Sequence, residues 1–433
     1  MEKPVLSPSA SLRINSAEGR GRGDFLVLDM KALSGIKIVE FAAFAAGPAV
    51  GKHFADHGAT VVHIESRVRP DGFRAHYPPY KDNIHGLNRS GLFSLCNNDK
   101  LDITLNLKKA PAATELAKKI AAWADVVIEN FSPGTMARLG IDYEALSQIK
   151  PDLIMLSTSN LGQSGPHAHH AGFGSQLSSL AGFTHLTGYP GGSPQILYGP
   201  YIDYIAVAYG ATAILAALDY RRRTGKGNYI DTAQYETGLQ YLAPILLDYK
   251  VNGTIAGRDA NRDPYAAPHG AYPCKGDDNW CVLSVHSESE WKHLCDVMGN
   301  PPWSADAKFA THETRKKNED ELDRKIGERT SGYTPREVME KLQAAGIRAG
   351  IVNTMKDIYT DPQLAQRPQW VELEHPEIGK IHYQRPPFLL TKTPPGPSKR
   401  DPLLAEHNDY FYKELLGLSE AEYRRLVEEQ VIY

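Results

Sequence analysis

Cysteine is scarce in this sequence: Cys96, Cys274, Cys281 and Cys295 are the 4 cysteines in 433 residues, with no C-x-x-C pair and no regular spacing. That excludes a disulfide framework and a thiolate zinc site, and it fits a reducing, cytoplasmic compartment. An excess of charge of one sign is missing too. With 48 Lys+Arg against 51 Asp+Glu the net charge is -3, so there is no basic face to neutralise phosphates and nucleic acid is not an expected partner. The strongest apolar run, Ile205 to Leu218, is too short for a bilayer and reads as a core helix, so neither a membrane span nor a membrane partner is expected. Residues 1–30 contain Ser, Gly and Arg without an apolar stretch, which reads as a flexible tail and not a secretory signal.

What is present belongs to a globular chain of two or three domains, with 42% hydrophobic and 23% charged residues. Gly35 to Phe41 reads as a strand, Ala46 to His57 as a helix and Thr60 to Glu65 as a second strand. A strand-helix-strand unit closed by an acidic residue suits a nucleotide-binding α/β domain. Where a dinucleotide site needs G-x-G-x-x-G, however, the chain has Phe44-Ala-Ala-Gly-Pro-Ala49, which argues against a nicotinamide oxidoreductase. Strands at Ile103 to Lys108, Asp125 to Asn130 and Leu153 to Ser157 alternate with helical stretches, and this predicts a Rossmann-like, mainly parallel sheet. The loops after Glu65, Glu129 and Ser157 should therefore border one crevice at the carboxyl ends of the strands.

The expected division is a large α/β domain over residues 31–250, a linker at 251–268, a smaller α+β domain at 269–390, a proline-rich linker at 391–402, and a helical segment at 403–433 returning to the large domain. Thr334-Pro-Arg-Glu337 has the spacing of a capping box and should open a helix. His167, His169 and His170 lie in a Gly-Pro loop and read as a surface loop, and no metal is expected.

Several segments together resemble the family III CoA-transferases, the CaiB/BaiF group that includes formyl-CoA transferase, carnitine CoA-transferase and the 2-methylacyl-CoA racemases. The matching pieces are Leu33 to Phe41, Ala46-Gly-Pro48, Gly58 to Glu65, Leu105-Asn-Leu-Lys108, Glu129 to Gly134, Arg138-Leu-Gly140, Ile202-Asp203, Arg223 to Gly227 and Pro402 to His407. The resemblance implies a large domain built from both ends of the chain, a small inserted domain and an interlocked ring dimer. It implies coenzyme A as a substrate with no tightly bound cofactor, and an acyl-CoA and a small carboxylic acid as partners. By position, Ala46, Leu105, Lys108, Asn130, Phe131 and Arg138 match CoA contacts. The family's Arg after the second strand is replaced by Ser66, so that Arg67 is the available substitute. Lys108 and Arg138 are also the cations that phosphate groups require.

Asp203 stands at the head of the apolar run and, read alone, is a helix cap whose removal costs about 1 kcal/mol. The resemblance makes it the nucleophile, which forms first a mixed anhydride with the donor acyl group and then an aspartyl-CoA thioester. Phe173, Gly174 and Tyr201 are the expected pocket, with Gly174 standing where the family has an acidic residue. The aromatic residues point to a hydrophobic or aromatic acceptor such as an arylsuccinate, with succinyl-CoA as donor. Two other readings stay open: a catalytically weak or inert subunit paired with a related chain, and an acyl-CoA racemase. In the racemases a His stands at the position of Phe173, a side chain that carries no proton.

Overall fold

Runs of β-branched and apolar residues, too short for helices and buried on both faces, make the central strands. The computed structural model describes residues 30–433; the tail expected over residues 1–30 lies, apart from Met30, outside the described residues. Six strands form one sheet: β1 (Lys37–Phe41), β2 (Thr60–Glu65), β3 (Lys100–Thr104), β4 (Val126–Glu129), β5 (Ile154–Ser159) and β6 (Asn228–Ala233). Their order is β3-β2-β1-β4-β5-β6 and every pairing is parallel. The fold class is therefore the α/β architecture expected. The order reverses on either side of β1, so the chain leaves β1 and β4 towards opposite faces and opens a crevice at their carboxyl ends.

Alternation along the strands divides the core. Ile38, Val61, Val126, Ile128, Ile154 and Leu156 face helices α1 (Ala46–Asp56) and α4 (Tyr201–Thr224), through Val50, Phe54 and Ile214. Val39, Val62, Ile103, Val127 and Met155 face α2 (Ala112–Trp123) and the C-terminal residues Phe411, Tyr412 and Leu426. The α1 side also holds a buried ion cluster. Lys100 Nζ donates to both Glu40 oxygens (2.9 and 2.8 Å), to Asn97 Oδ1 (2.9 Å) and to the Pro48 carbonyl (2.7 Å). Because unpaired charge is costly inside a protein, this cluster fixes the first turn of α1 against the sheet, beside the crevice.

Some boundaries differ from expectation. β3 ends at Thr104, so Leu105 and Lys108 are not in the strand but in the turn beyond it, where the Leu105 N–H donates to the Glu65 carbonyl (2.8 Å). α4 is a core helix on one face only: Ile202, Ile205, Ala206, Gly210, Ala211, Ile214 and Ala217 are buried, whereas Tyr204, Tyr209, Leu215 and Tyr220 are exposed. The helix has 24 residues and contains an 18-residue stretch of mean hydropathy 1.5, so by length and composition it also passes for a membrane-crossing helix, contrary to the estimate from residues 205–218. Its packing on the sheet is that of a core helix in an α/β layer. The single C-terminal helix expected is interrupted, with a π-helical turn at Tyr410–Leu415, Gly417 at φ 77° and a helix at Glu420–Glu428.

A second, antiparallel sheet follows, with β7 (His269–Pro273), β8 (Trp280–Ser284) and β9 (Arg348–Ile351) around Leu283, Trp291, Leu294, Phe309 and Ile326. The capping box forms as its spacing requires: the Glu337 N–H donates to Thr334 Oγ1 (3.3 Å) and the Thr334 N–H to Glu337 Oε2 (2.8 Å). A hairpin, β10 (Trp370–His375) and β11 (Gly379–Gln384), precedes the proline-rich segment.

Candidate active site

The crevice is built by the loop after β1. Asn130, just past β4, clamps it: its side chain accepts from the Ala43 N–H (3.0 Å) and donates to the Ala43 carbonyl (2.7 Å). The next residue, Phe44, has φ 65°, and its N–H donates to Asp71 Oδ2 (3.0 Å). The Phe44 ring then meets Phe173 edge to face at 6.1 Å. Phe173 precedes α3 (Gly174–Leu180), and the start of α3 abuts Asp203 in the first turn of α4. A continuous path of contacts thus runs from the switch point of the sheet to the Asp203 carboxyl.

Gly174 is what allows this approach. A Cβ at Gly174 would lie 1.9 Å from Asp203 Oδ2 and 2.7 Å from Pro200 Cβ. No side chain fits there without moving Asp203 or the turn before α4, so an acidic residue at this position could not coexist with this arrangement. Pro200 occupies the cap position and makes no side-chain cap, and Asp203 is the third helical residue. Burial pushes the Asp203 carboxyl up to about 6, although the N–H groups of Asp203 and Gly174 pull the other way. Among the described residues no cation bears on it.

The other expected residues are distributed along the strand ends. Ala46 is buried at the start of α1. Phe131 follows Asn130, its N–H held by Glu129 Oε2 (2.7 Å) and its ring against the core of the α2 face. Leu105 is buried, while Lys108 beyond β3 and Arg138 at the end of the helix Thr135–Arg138 are exposed. Arg67 is exposed in the loop after β2, beside Ser66, whose hydroxyl bonds that of Tyr433. Tyr201 packs on Phe183 (5.6 Å) and is not among the partners of the Phe44–Phe173 contact. His167, His169 and His170 are exposed.

Three functional candidates escaped the sequence reading. Phe44 and Asp71 shape the loop as described. Glu129 lies at the end of β4, pushed up to about 7 by burial against its bonds from Phe131 and Ser157, and it accepts from Gln163 Nε2 (3.3 Å). An acid closing a buried strand was the available signal for Glu129. A different cluster, His63, Glu65 and Asp102, has donor atoms spaced for a metal. The Arg74 guanidinium already pairs with Glu65 (2.6 Å) and Asp102 (3.3 Å), so this cluster reads as an ion network around a fixed cation.

The chain matches the profile of CoA-transferase family III over residues 33–408. It is 32% identical to a succinyl-CoA–D-citramalate CoA-transferase of Chloroflexus aurantiacus, over 93% of this chain and 98% of that protein. It is 31% identical to a succinate–glutarate CoA-transferase of Agrobacterium fabrum, over 88% of this chain and 95% of that one. Its fold is similar to the crystal structure of a CaiB/BaiF family protein from Brucella suis, with a TM-score of 0.81 and 31% identity, covering 89% of this chain and 99% of that one.

Proposed function

The chain belongs to CoA-transferase family III, and on that premise we propose that it moves CoA from an acyl-CoA, succinyl-CoA first among donors, to a carboxylic acid through covalent intermediates on Asp203. The observation that carries the reading is an Asp203 carboxyl that, among the described residues, has no cation bearing on it and that lies against Gly174 at the start of α3. A carboxylate that is neither ion-paired nor strongly solvated keeps its basicity, and hence its nucleophilicity.

In the first step a carboxylate oxygen of Asp203 attacks the thioester carbon. A C–O bond forms, the C–S bond breaks, and CoA leaves as thiolate with a mixed anhydride left on Asp203. The thiolate then attacks the Asp203 carbonyl of the anhydride, forming the aspartyl-CoA thioester and releasing the donor acid as its carboxylate. The acceptor carboxylate reverses both steps, and no net proton or water is consumed. Excluding water protects both intermediates from hydrolysis. Ala46, Leu105, Lys108, Asn130, Phe131, Arg138 and Arg67 are the residues assigned to the CoA moiety, with Lys108, Arg138 and Arg67 supplying the exposed cations for its phosphates.

The relatives' names put succinyl-CoA, citramalate and glutarate among their substrates; for this chain the acceptor is read as a hydrophobic or aromatic acid, on the rings of Phe173 and its neighbours. The phenyl ring of Phe173, where a racemase needs a proton carrier, does not favour racemisation. The exposed apolar residues of α4 and of the helix Ala243–Asn252, including Tyr209, Leu215, Leu246 and Leu247, support association with a second copy or a related chain.

Trapping tests the chemistry. The protein is incubated with succinyl-CoA and quenched with hydroxylamine, and the peptide containing Asp203 is expected to carry a hydroxamate. An unmodified peptide across a panel of acyl-CoAs, in a protein that still binds CoA, would favour the inert-subunit reading. A pH profile adds a second check. The ionised carboxyl is the attacking form, so kcat/KM should fall about tenfold per unit as pH drops below the Asp203 value of about 6. A profile flat through that range would remove Asp203 as the nucleophile.

A further inference from the structure

Phe44 is a bulky residue in the left-handed region, φ 65°, a conformation that L side chains take only when their surroundings fix it. Its surroundings do so on two sides. Asp71, 2% exposed, accepts the Phe44 N–H on Oδ2 (3.0 Å) and the Phe73 N–H on Oδ1 (2.7 Å), and its own N–H donates to Glu65 Oε2 (2.7 Å). His63 Nε2 lies 3.5 Å from Asp71 Oδ2 and its other ring nitrogen 3.0 Å from Glu40. On the ring side Gly72 leaves a cradle, for a Cβ there would lie 1.9 Å from Phe44 Cε1.

The ring so placed is the centre of an aromatic group. Phe44 meets Phe73 at 5.8 Å, Tyr77 at 6.0 Å and Phe173 at 6.1 Å, all edge to face. Phe173 is 57% exposed and Tyr77 41%, so the group opens outwards, next to the Gly174–Asp203 contact. An aryl group beside this contact has the ring edges and faces of Phe44, Tyr77 and Phe173 to meet.

We propose that Phe44 is a specificity-determining residue, one wall of an acceptor pocket for the aryl group of an aryl-substituted acid, and that Asp71 is the positioning residue that sets this wall through the Phe44 backbone. This rests on the reading of Asp203 as nucleophile only for the direction in which the acid's carboxylate points.

The test is calorimetric binding of 2-phenylsuccinate and of glutarate to the full-length protein. Wild type is expected to bind the phenyl acid at least about tenfold more tightly, the range set by one aromatic contact surface. Phe44→Ala and Phe44→Gly should both erase that preference, and the glycine chain should melt higher than the alanine chain because glycine adopts φ 65° without strain. Asp71→Asn should reduce the preference in the wild-type background and leave it unchanged in the Phe44→Ala background, which a general loss of structure would not do. The proposal is overturned by an absent preference in wild type, by a preference that survives in both Phe44 variants, or by an Asp71→Asn effect that weakens both acids alike. If Asp71→Asn does not fold, the Phe44 variants still decide. Hydroxamate formation at Asp203 is scored separately, so a failed trapping experiment counts against the transferase mechanism and not against this pocket.

Discussion

Asp203→Ala should lower CoA transfer by about four orders of magnitude or more, because the covalent route has no substitute nucleophile. The same variant should not lose stability at neutral pH. The carboxyl is held near 6 in the folded chain against an ordinary value of 3.8. A raised carboxyl stabilises the folded state fully below its unfolded value, and that contribution is lost as pH climbs through the folded one. At about pH 8 the wild type thus bears an ionised, partly buried carboxylate that the alanine chain lacks. The variant is expected to melt higher there, with the gain gone near pH 4. The loss of about 1 kcal/mol expected from an N-cap residue does not apply as such, since Pro200 is the cap residue; the N–H groups that bear on the carboxyl are those of Asp203 itself and of Gly174. Wild-type transfer rates in the variant would end the covalent mechanism. A melting temperature several degrees lower at about pH 8 would mark the carboxylate as structural.

Gly174→Ala is expected to lower kcat/KM by about a hundredfold while CoA binding persists. The added carbon would sit 1.9 Å from Asp203 Oδ2 and 2.8 Å from Pro200 Cα. The carboxylate can swing away, but the backbone at Pro200 cannot yield as easily, so the start of α3 and the turn before α4 must separate. A displacement of about 1 Å at the reacting atom is enough for a loss of that size. The steady-state rates and the yield of trapped hydroxamate check it, and an alanine chain as active as wild type would show that the two segments move apart freely.

How much of this was legible depends on where each constraint lies in the chain. β1, β2, β4 and β5 were visible because each is a local apolar run inside the sheet, whereas β3, the edge strand Lys-Leu-Asp-Ile-Thr, was expected at Ile103 to Lys108 and shares only Ile103 and Thr104 with that range. β6 was not singled out: Asn228-Tyr-Ile-Asp-Thr-Ala233 is an edge strand with a polar residue at every other position or so, and its strand character comes from pairing with β5. β10 does alternate, Trp-Val-Glu-Leu-Glu-His, and could have been read from its period of two. α4 looked like a fully buried helix because composition cannot separate a face packed on the sheet from one left open. At the site, Asp203 and Gly174 were visible only through family resemblance, since a lone Asp before an apolar run is ordinary cap chemistry. Phe44 was beyond reach: its conformation is set by Asp71, 27 positions further along, in contact with a buried network drawn from three strands.

The edge of the sheet at β3 has a consequence for synthesis. β3 is the last strand on its side, and its outward backbone groups are taken up by the C-terminal segment: the Asp102 N–H donates to His407 Nδ1 (3.2 Å), the Thr104 N–H to Asn408 Oδ1 (2.8 Å), and the Thr104 carbonyl accepts from Tyr412 (2.9 Å). Those partners lie 304 to 308 residues later. At about 5–20 residues per second, the edge emerges from the ribosome roughly 15–60 s before its cover exists. During that interval the nascent chain carries an open strand edge, a template for pairing with other chains. The hazard ends only when residues 407–412 reach the edge, so protection against aggregation during synthesis depends on the last part of the chain to be made.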